Sequence, residues 1–162
     1  MKKKNVTLGF LLAASMILAY IESLIPFAVG IPGIKLGLPN MAVVLLLYTY
    51  GFKEALTVNL LRILLTGFLF GNMYSIIYAL AGALCSFCLM LLFKKAGVFS
   101  IIGVSIIGGV AHNIGQTLVA MIVVENFAPL FYLPVLMVAG VVTGFLIGVV
   151  SMRVMIYFNR IV

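Results

Sequence analysis

The chain has 162 residues, of which 65% are hydrophobic and only 8% are charged. A soluble domain of this length is usually about half apolar, and so few charged side chains cannot cover a water-facing surface. The composition therefore excludes a soluble globular protein and predicts one integral membrane domain over residues 1–162. The net charge of +7 does not indicate nucleic-acid binding, because the basic residues lie between apolar runs, as the positive-inside rule expects.

The first apolar run covers about residues 8–26 and follows three lysines, at positions 2 to 4. A signal peptide begins in the same way, but this run is long for a cleaved segment and no small-residue cleavage site follows it. We therefore expect an uncleaved first transmembrane helix that ends at Pro26.

The stretch GIPGIKLGLPN, residues 30–40, interrupts the apolar pattern with three glycines, two prolines, a lysine and an asparagine. It could be a plain connection, but a bare link needs only a few residues. Non-helical backbone at membrane depth must be covered by protein or line a polar cavity. We therefore favour a lid that folds back over the bundle. Its gating residues would be Gly30, Pro32, Gly33, Lys35 and Gly37.

Five further apolar runs follow, each bounded by glycine, proline, asparagine or charged residues. The predicted helices are 38–51, 53–70, 73–93, 99–124 and 134–158. The first of these five is short, since at 1.5 Å per residue it covers only ~20 Å. The fold class predicted is an all-α membrane protein with six transmembrane helices.

Charge distribution predicts how these helices are oriented. With the N-terminus inside, eight basic residues lie at inner ends and only Lys35 lies outside. The eight are Lys2, Lys3, Lys4, Lys53, Lys94, Lys95, Arg153 and Arg160. We therefore expect both termini to be cytoplasmic.

Polar side chains are few inside the predicted helices, and such groups usually face the bundle interior or a cavity. They fall at the centre and in the outer half of the membrane, which favours a pocket open to the outside over a continuous ion path. Arg62 would be the main charge, and its planar donor fork suits a carboxylate or phosphate. The substrate-binding candidates are Asn40, Asn59, Arg62, Asn72, His112, Asn113 and Gln116.

Four of these candidates also have a purely structural interpretation. Arg62 could pair with Glu22 and hold two helices together, and His112 could be a neutral packing residue. Asn113 and Gln116 could form hydrogen bonds between helices, worth about 0.6 kcal/mol on average in membranes. We favour the pocket, because a bundle this small rarely needs so many buried polar groups for packing alone.

The sequence offers no catalytic or metal site. Cys85 and Cys88 are best interpreted as small apolar side chains one turn apart, since the only histidine lies in another segment. The chain contains no aspartate, which excludes the paired-aspartate Mg²⁺ chemistry of prenyl synthases, and it has no P-loop for ATP hydrolysis. We expect a protein that is not an enzyme and holds no cofactor.

Small residues recur at every fourth position on three predicted helices, which lets helices approach closely. The fourth and sixth helices carry Ser75, Ala79, Ala83, Gly140, Gly144 and Gly148, where we expect packing within the bundle. On the first helix the spacing joins Gly9 to Ala13 and Ser15 to Ala19, which could form an interface with another membrane protein.

Several segments resemble one known family. They are PGIKLGLPNMAVVLLLYTYGFKEAL, the LLR that ends at Arg62, the GN at 71–72 and GGVAHNIGQ. These resemble the Gx transporter family, often labelled heptaprenyl diphosphate synthase component I. That family is similar to the substrate-binding S components of energy-coupling factor (ECF) transporters. Such components have six helices with both ends cytoplasmic, and bind a micronutrient near the outer face under the first loop.

The resemblance implies a location in the bacterial plasma membrane, with a transmembrane coupling protein and two cytoplasmic ATPases as partners. The expected function is uptake of a small micronutrient or an isoprenoid-related, anionic compound. One alternative is an accessory subunit or scaffold of a prenyl diphosphate synthase or a flavin-linked redox assembly. A second alternative is a stand-alone channel or secondary carrier.

Overall fold

The computed structural model describes residues 2–24 and 36–161, and in this part the chain is all-helical. Six α-helices follow one another, with a short 3₁₀ helix, Ala128–Tyr132, before the last. They are α1 (Lys2–Leu24), α2 (Asn40–Thr49), α3 (Phe52–Phe70), α4 (Met73–Ala96), α5 (Ile101–Val124) and α6 (Leu133–Ile161). The number and order of the α-helices agree with the sequence-based prediction.

The helix ends differ from the prediction mainly where charged residues stand. Helix α1 begins at Lys2, α4 continues to Ala96, and α6 continues to Ile161. Hydropathy marks only the apolar part of a helix, and lysine and arginine are good helix formers that extend it. Helix α2 has only ten residues, with Pro39 at its N-cap and Gly51 just beyond its end. The predicted break at Pro26 lies outside the described residues.

Glycines bring α4, α5 and α6 into close contact. A Cβ on Gly115 of α5 would lie 2.8 Å from the carbonyl oxygen of Ala81 on α4. A Cβ on Gly144 of α6 would lie 2.7 Å from the carbonyl oxygen of Ser105 on α5. The predicted packing of the glycine ridge on α6 is thus confirmed. Ala83 of the α4 ridge also packs within the bundle, in a small cluster that includes Ile63 of α3, whereas Ser75 and Ala79 of the same ridge line a cavity described below.

One end of the bundle collects basic residues, and we call it the basic end. Lys4 of α1 forms an ion pair of 2.5 Å with Glu54 at the start of α3. Lys94, near the end of α4, donates a hydrogen bond to the carbonyl oxygen of Leu47 in the last turn of α2. These contacts place the starts of α1 and α3 beside the ends of α2 and α4. The core next to this end is apolar, and its most deeply buried members include Leu46, Leu47, Ala55 and Val104.

In the described part of the chain, four helices are long and apolar enough to cross a membrane. They are Lys3–Leu24, Met73–Ala96, Ile101–Val124 and Ala128–Tyr157. Helix α3 is less apolar, but it buries Asn59 and Arg62 while it exposes large apolar side chains such as Leu64 and Phe68. Polar groups inside and apolar groups outside are the reverse of a water-soluble helix, so this surface suits lipid.

Candidate functional site

A cavity lined by charged and polar residues lies at the end of the bundle opposite the basic end. Its volume is about 380 Å³, within the ~300–1,000 Å³ range of small-molecule sites. We call it the main cavity. Its described lining comes from the last turns of α1, the second half of α3, the segment that leads into α2, the first turns of α4, and His112 of α5.

Arg62 is the buried charge of the main cavity. Only 8% of its surface is exposed, and its Nη2 donates to the Oδ1 of Asn59 at 2.6 Å and to the Oδ1 of Asn40 at 3.2 Å. Asn59 stands three residues before Arg62 on the same face of α3, whereas Asn40 begins α2. The Nε of Arg62 is buried and has no hydrogen-bond partner among the described residues. Neutral amides therefore position the guanidinium, and part of its donor capacity remains unused.

The second charge of the main cavity belongs to Glu22, in the last turn of α1. Its Oε1 accepts a hydrogen bond of 2.7 Å from the backbone N–H of Gly37. Glu22 interacts electrostatically with Arg62, but no carboxylate of the described chain lies within 4.0 Å of the guanidinium. The alternative in which these two residues form a direct ion pair is therefore not observed.

Gly37 belongs to the predicted lid and also lines the main cavity. Its φ is +71°, in the left-handed region that favours glycine. A Cβ there would lie 3.1 Å from Cδ1 of Ile147 on α6, which is tight for a side-chain contact. Gly37 is the one gating residue in the described part of the chain, since Gly30, Pro32, Gly33 and Lys35 lie outside it.

A smaller polar cleft of about 40 Å³ adjoins the main cavity and shares Gly37, Asn40 and His112 with it. We call it the minor cleft. Its remaining polar lining is Ser86, Ser105, Asn113, Gln116 and Thr143. A space of this size holds water-sized groups rather than a second ligand. It extends the polar surface from the main cavity into the contact between α4, α5 and α6.

The structure divides the predicted binding residues into three groups. Asn40, Arg62 and His112 line the main cavity, and Asn113 and Gln116 line the minor cleft. Asn113 also has a structural role, because its Nδ2 donates to the carbonyl oxygen of Leu136 on α6 at 2.6 Å. The third group, which lies outside both described linings, holds Asn59, which positions Arg62, and Asn72.

Asn72 caps helix α4. Its Oδ1 accepts from the backbone N–H of Ser75 at 2.8 Å, and its own N–H donates to the Oγ of Ser75 at 3.0 Å. This reciprocal pair is a capping box, which satisfies backbone N–H groups that a helix start leaves unpaired. The role assigned by the geometry is therefore to begin the helix whose first turn lines the main cavity.

Sequence reasoning missed the small hydroxyl residues of the two cavities. Thr66 and Ser75 line the main cavity, and Ser86, Ser105 and Thr143 line the minor cleft. Serine and threonine can satisfy themselves within their own helix, as Thr66 does by donating to the carbonyl oxygen of Arg62 at 2.8 Å. The available signal was spacing, since Thr66 follows Arg62 by one helical turn.

The small residues predicted to form a partner interface on α1 lie on two different faces. Gly9 and Ala13 are on the exposed face, and a Cβ on Gly9 would meet no atom within 4 Å. Ser15 is fully buried and Ala19 lines the main cavity. Only the pair Gly9 and Ala13 is therefore presented on the outer surface of α1.

Comparison with known proteins gives one match. Residues 11–154 match a family model described as heptaprenyl diphosphate synthase component I. No curated protein and no solved structure matches the chain significantly.

Proposed function

The chain belongs to the heptaprenyl diphosphate synthase component I family, and from that premise we propose that it is the substrate-binding subunit of a membrane uptake system. It would act like the S component of an ECF transporter. The observation that carries the proposal is Arg62, a buried and incompletely paired guanidinium in a cavity of ligand size. A buried charge without a direct counter-ion is costly to the fold, so its presence in the cavity favours a functional role.

The proposed topology has six membrane helices with both termini in the cytoplasm of a bacterium. The basic end would face the cytoplasm, as the positive-inside rule requires, and the main cavity would face outward. Helix α2 covers only about 15 Å, so it would reach from the inner surface to mid-membrane and leave room above its N-terminus. The apolar core at the basic end favours this arrangement over a stand-alone channel, because a channel needs polar groups along its whole length.

The proposed ligand is a small anionic compound with an apolar part. The guanidinium of Arg62 would receive its carboxylate or phosphate group. Ile63 and Phe70 also line the main cavity and would contact the apolar part. An isoprenoid-related compound or a micronutrient with these features fits a site of this kind.

The chain would bind its ligand without converting it, and separate ATPases would supply the energy for uptake. It would need a transmembrane coupling protein to contact them. The exposed face of α1 that contains Gly9 and Ala13 is the surface we assign to that contact, because small residues allow close approach of a second helix.

Native mass spectrometry of the gently extracted protein tests the proposal. We expect a small acidic molecule to be retained by the wild type, lost from Arg62→Met, and retained by Arg153→Met. Arg153 is an exposed arginine on α6 and is absent from the lining of both cavities, so it is a matched control. Equal retention of that molecule by Arg62→Met would remove Arg62 from the site.

The family description favours a second function, that of an accessory subunit of a prenyl diphosphate synthase. The chain has no aspartate, so the synthase chemistry itself would belong to another subunit. Affinity purification of the tagged full-length chain separates the two functions. Co-purified ATPases would support uptake, whereas a co-purified prenyl synthase would support the accessory role.

A further inference from the structure

We propose that the ligand of the main cavity is amphoteric, with a protonated nitrogen that binds Glu22 as well as an anionic group that binds Arg62. This inference rests on the proposed function and narrows the class of ligand. It follows from the two opposite charges that line the same cavity and do not form an ion pair with each other.

Separate hydrogen bonds hold the two charges apart. Two asparagine side chains hold the guanidinium of Arg62, and the N–H of Gly37 holds one carboxylate oxygen of Glu22. Opposite charges attract strongly where water is scarce. Because other hydrogen bonds keep these two charges separate, the site is preorganised for a ligand that binds between them. The Nε of Arg62 is buried without a hydrogen-bond partner among the described residues, so the two asparagines do not satisfy the whole guanidinium.

Glu22 also keeps capacity for a ligand. A carboxylate has two oxygens and about four acceptor positions, and among the described residues Glu22 accepts one hydrogen bond, at its Oε1 from Gly37. A ligand N–H could therefore bind without breaking the contact to Gly37.

Charge complementarity favours an amphoteric ligand over a simple anion. A purely anionic ligand would be attracted by Arg62 but repelled by Glu22. A purely cationic ligand would be attracted by Glu22 but repelled by Arg62. A ligand with both groups would neutralise both charges of the described lining. Glu22 would therefore act as a specificity determinant that rejects anions without a basic nitrogen.

Matched probes test this inference on the purified full-length protein in detergent. The first set is ω-aminoalkyl phosphates with two to four carbons, and the second is alkyl phosphates of the same lengths. Affinities are measured by isothermal titration calorimetry. The variants are Glu22→Gln, which keeps an acceptor for the N–H of Gly37 but removes the charge, and Glu125→Gln, which makes the same change at the exposed C-cap of α5.

We expect at least one aminoalkyl phosphate to bind the wild type about tenfold more tightly than its alkyl counterpart. This preference should disappear in Glu22→Gln, with the alkyl phosphate bound as well or better, and persist in Glu125→Gln. Equal binding of every matched pair by the wild type would overturn the amphoteric ligand. If the wild type bound both members of each pair equally but Arg62→Met bound them more weakly, the amphoteric ligand would be excluded and the proposed function would stand. Absence of Arg62-dependent binding in both sets would overturn both proposals.

Discussion

Arg62 shows at the scale of a single residue how this chain differs from a bundle that is built for stability alone. Its hydrogen-bond partners are amides, so its charge is solvated by dipoles rather than neutralised by a carboxylate. Even a complete buried ion pair often stabilises a protein no more than apolar side chains of similar volume, and a buried charge without its partner is costlier still. The arrangement therefore makes sense if a ligand supplies the missing negative charge.

The pair Asn59 and Asn72 gives the first prediction. Asn59→Ala removes the 2.6 Å bond that holds the guanidinium, and we expect it to weaken Arg62-dependent binding about tenfold. Asn72→Ala removes a helix cap, and we expect it to lower stability by about 1 kcal/mol while binding is unchanged. Thermal unfolding and calorimetry on both variants measure the two effects. If Asn72→Ala lowered the free energy of binding by more than it lowered the free energy of unfolding, Asn72 would have to be assigned to the binding site.

The left-handed glycines give the second prediction, with a matched control in the same chain. Gly37 and Gly97 both have a φ of +71°, but a Cβ on Gly97 would meet no atom within 4 Å, whereas one on Gly37 would crowd Ile147. Alanine at either position should cost about 1 kcal/mol of backbone strain. Only Gly37→Ala should also reduce ligand binding, because Gly37 lines both cavities. If both variants bound the ligand equally well, the effect of Gly37→Ala would be backbone strain alone, and Gly37 would have no role in binding.

At the scale of the element, the sequence predicts the helices and their polar faces, but it does not predict which side chains on different helices contact each other. Apolar runs bounded by proline, glycine and charge predict α2 to α6 within a few residues, because a helix must cover its own backbone polar groups in lipid. The contact of Arg62 with Asn40 joins residues 22 positions apart and depends on how α2 meets α3. Asn72 could have been assigned as a cap, since Ser75 stands at the capping-box position.

Helix packing gives the third prediction. A Cβ on Gly109 of α5 would press against the backbone carbonyl of Gly140 on α6. Backbone cannot rotate away as a side chain does, so we expect Gly109→Ala to destabilise the fold by about 1–3 kcal/mol. Gly9→Ala is the control, because Gly9 is helical and faces open space, and it should be neutral or stabilise by up to about 1 kcal/mol. Melting temperatures in one detergent compare the two, and an unchanged value for Gly109→Ala would contradict the close packing.

At the scale of the whole molecule, the bundle is divided into two unlike ends. Basic side chains and an apolar core occupy one end, and the other holds the cavity with two opposite charges, Glu22 and Arg62, that do not form an ion pair with each other. Helix α2 makes this division possible, since its ten residues fill the basic half and leave space beyond Asn40. Under the proposed function, a substrate captured at the cavity end would meet this apolar core, and its delivery to the other side would require movement driven by partners. The same division makes the membrane orientation directly testable.

Two exposed positions at opposite ends provide that test and the last prediction. Phe127 follows α5 at the cavity end and is 77% exposed, and Val98 follows α4 at the basic end and is 78% exposed. Each is replaced by cysteine in a background with Cys85→Ala and Cys88→Ala. In intact cells a membrane-impermeant maleimide should label Phe127→Cys but not Val98→Cys, and permeabilisation should make the labelling of the two equal. The reverse pattern would place the cavity on the cytoplasmic side, and an uptake subunit that captures its ligand from outside would then be untenable.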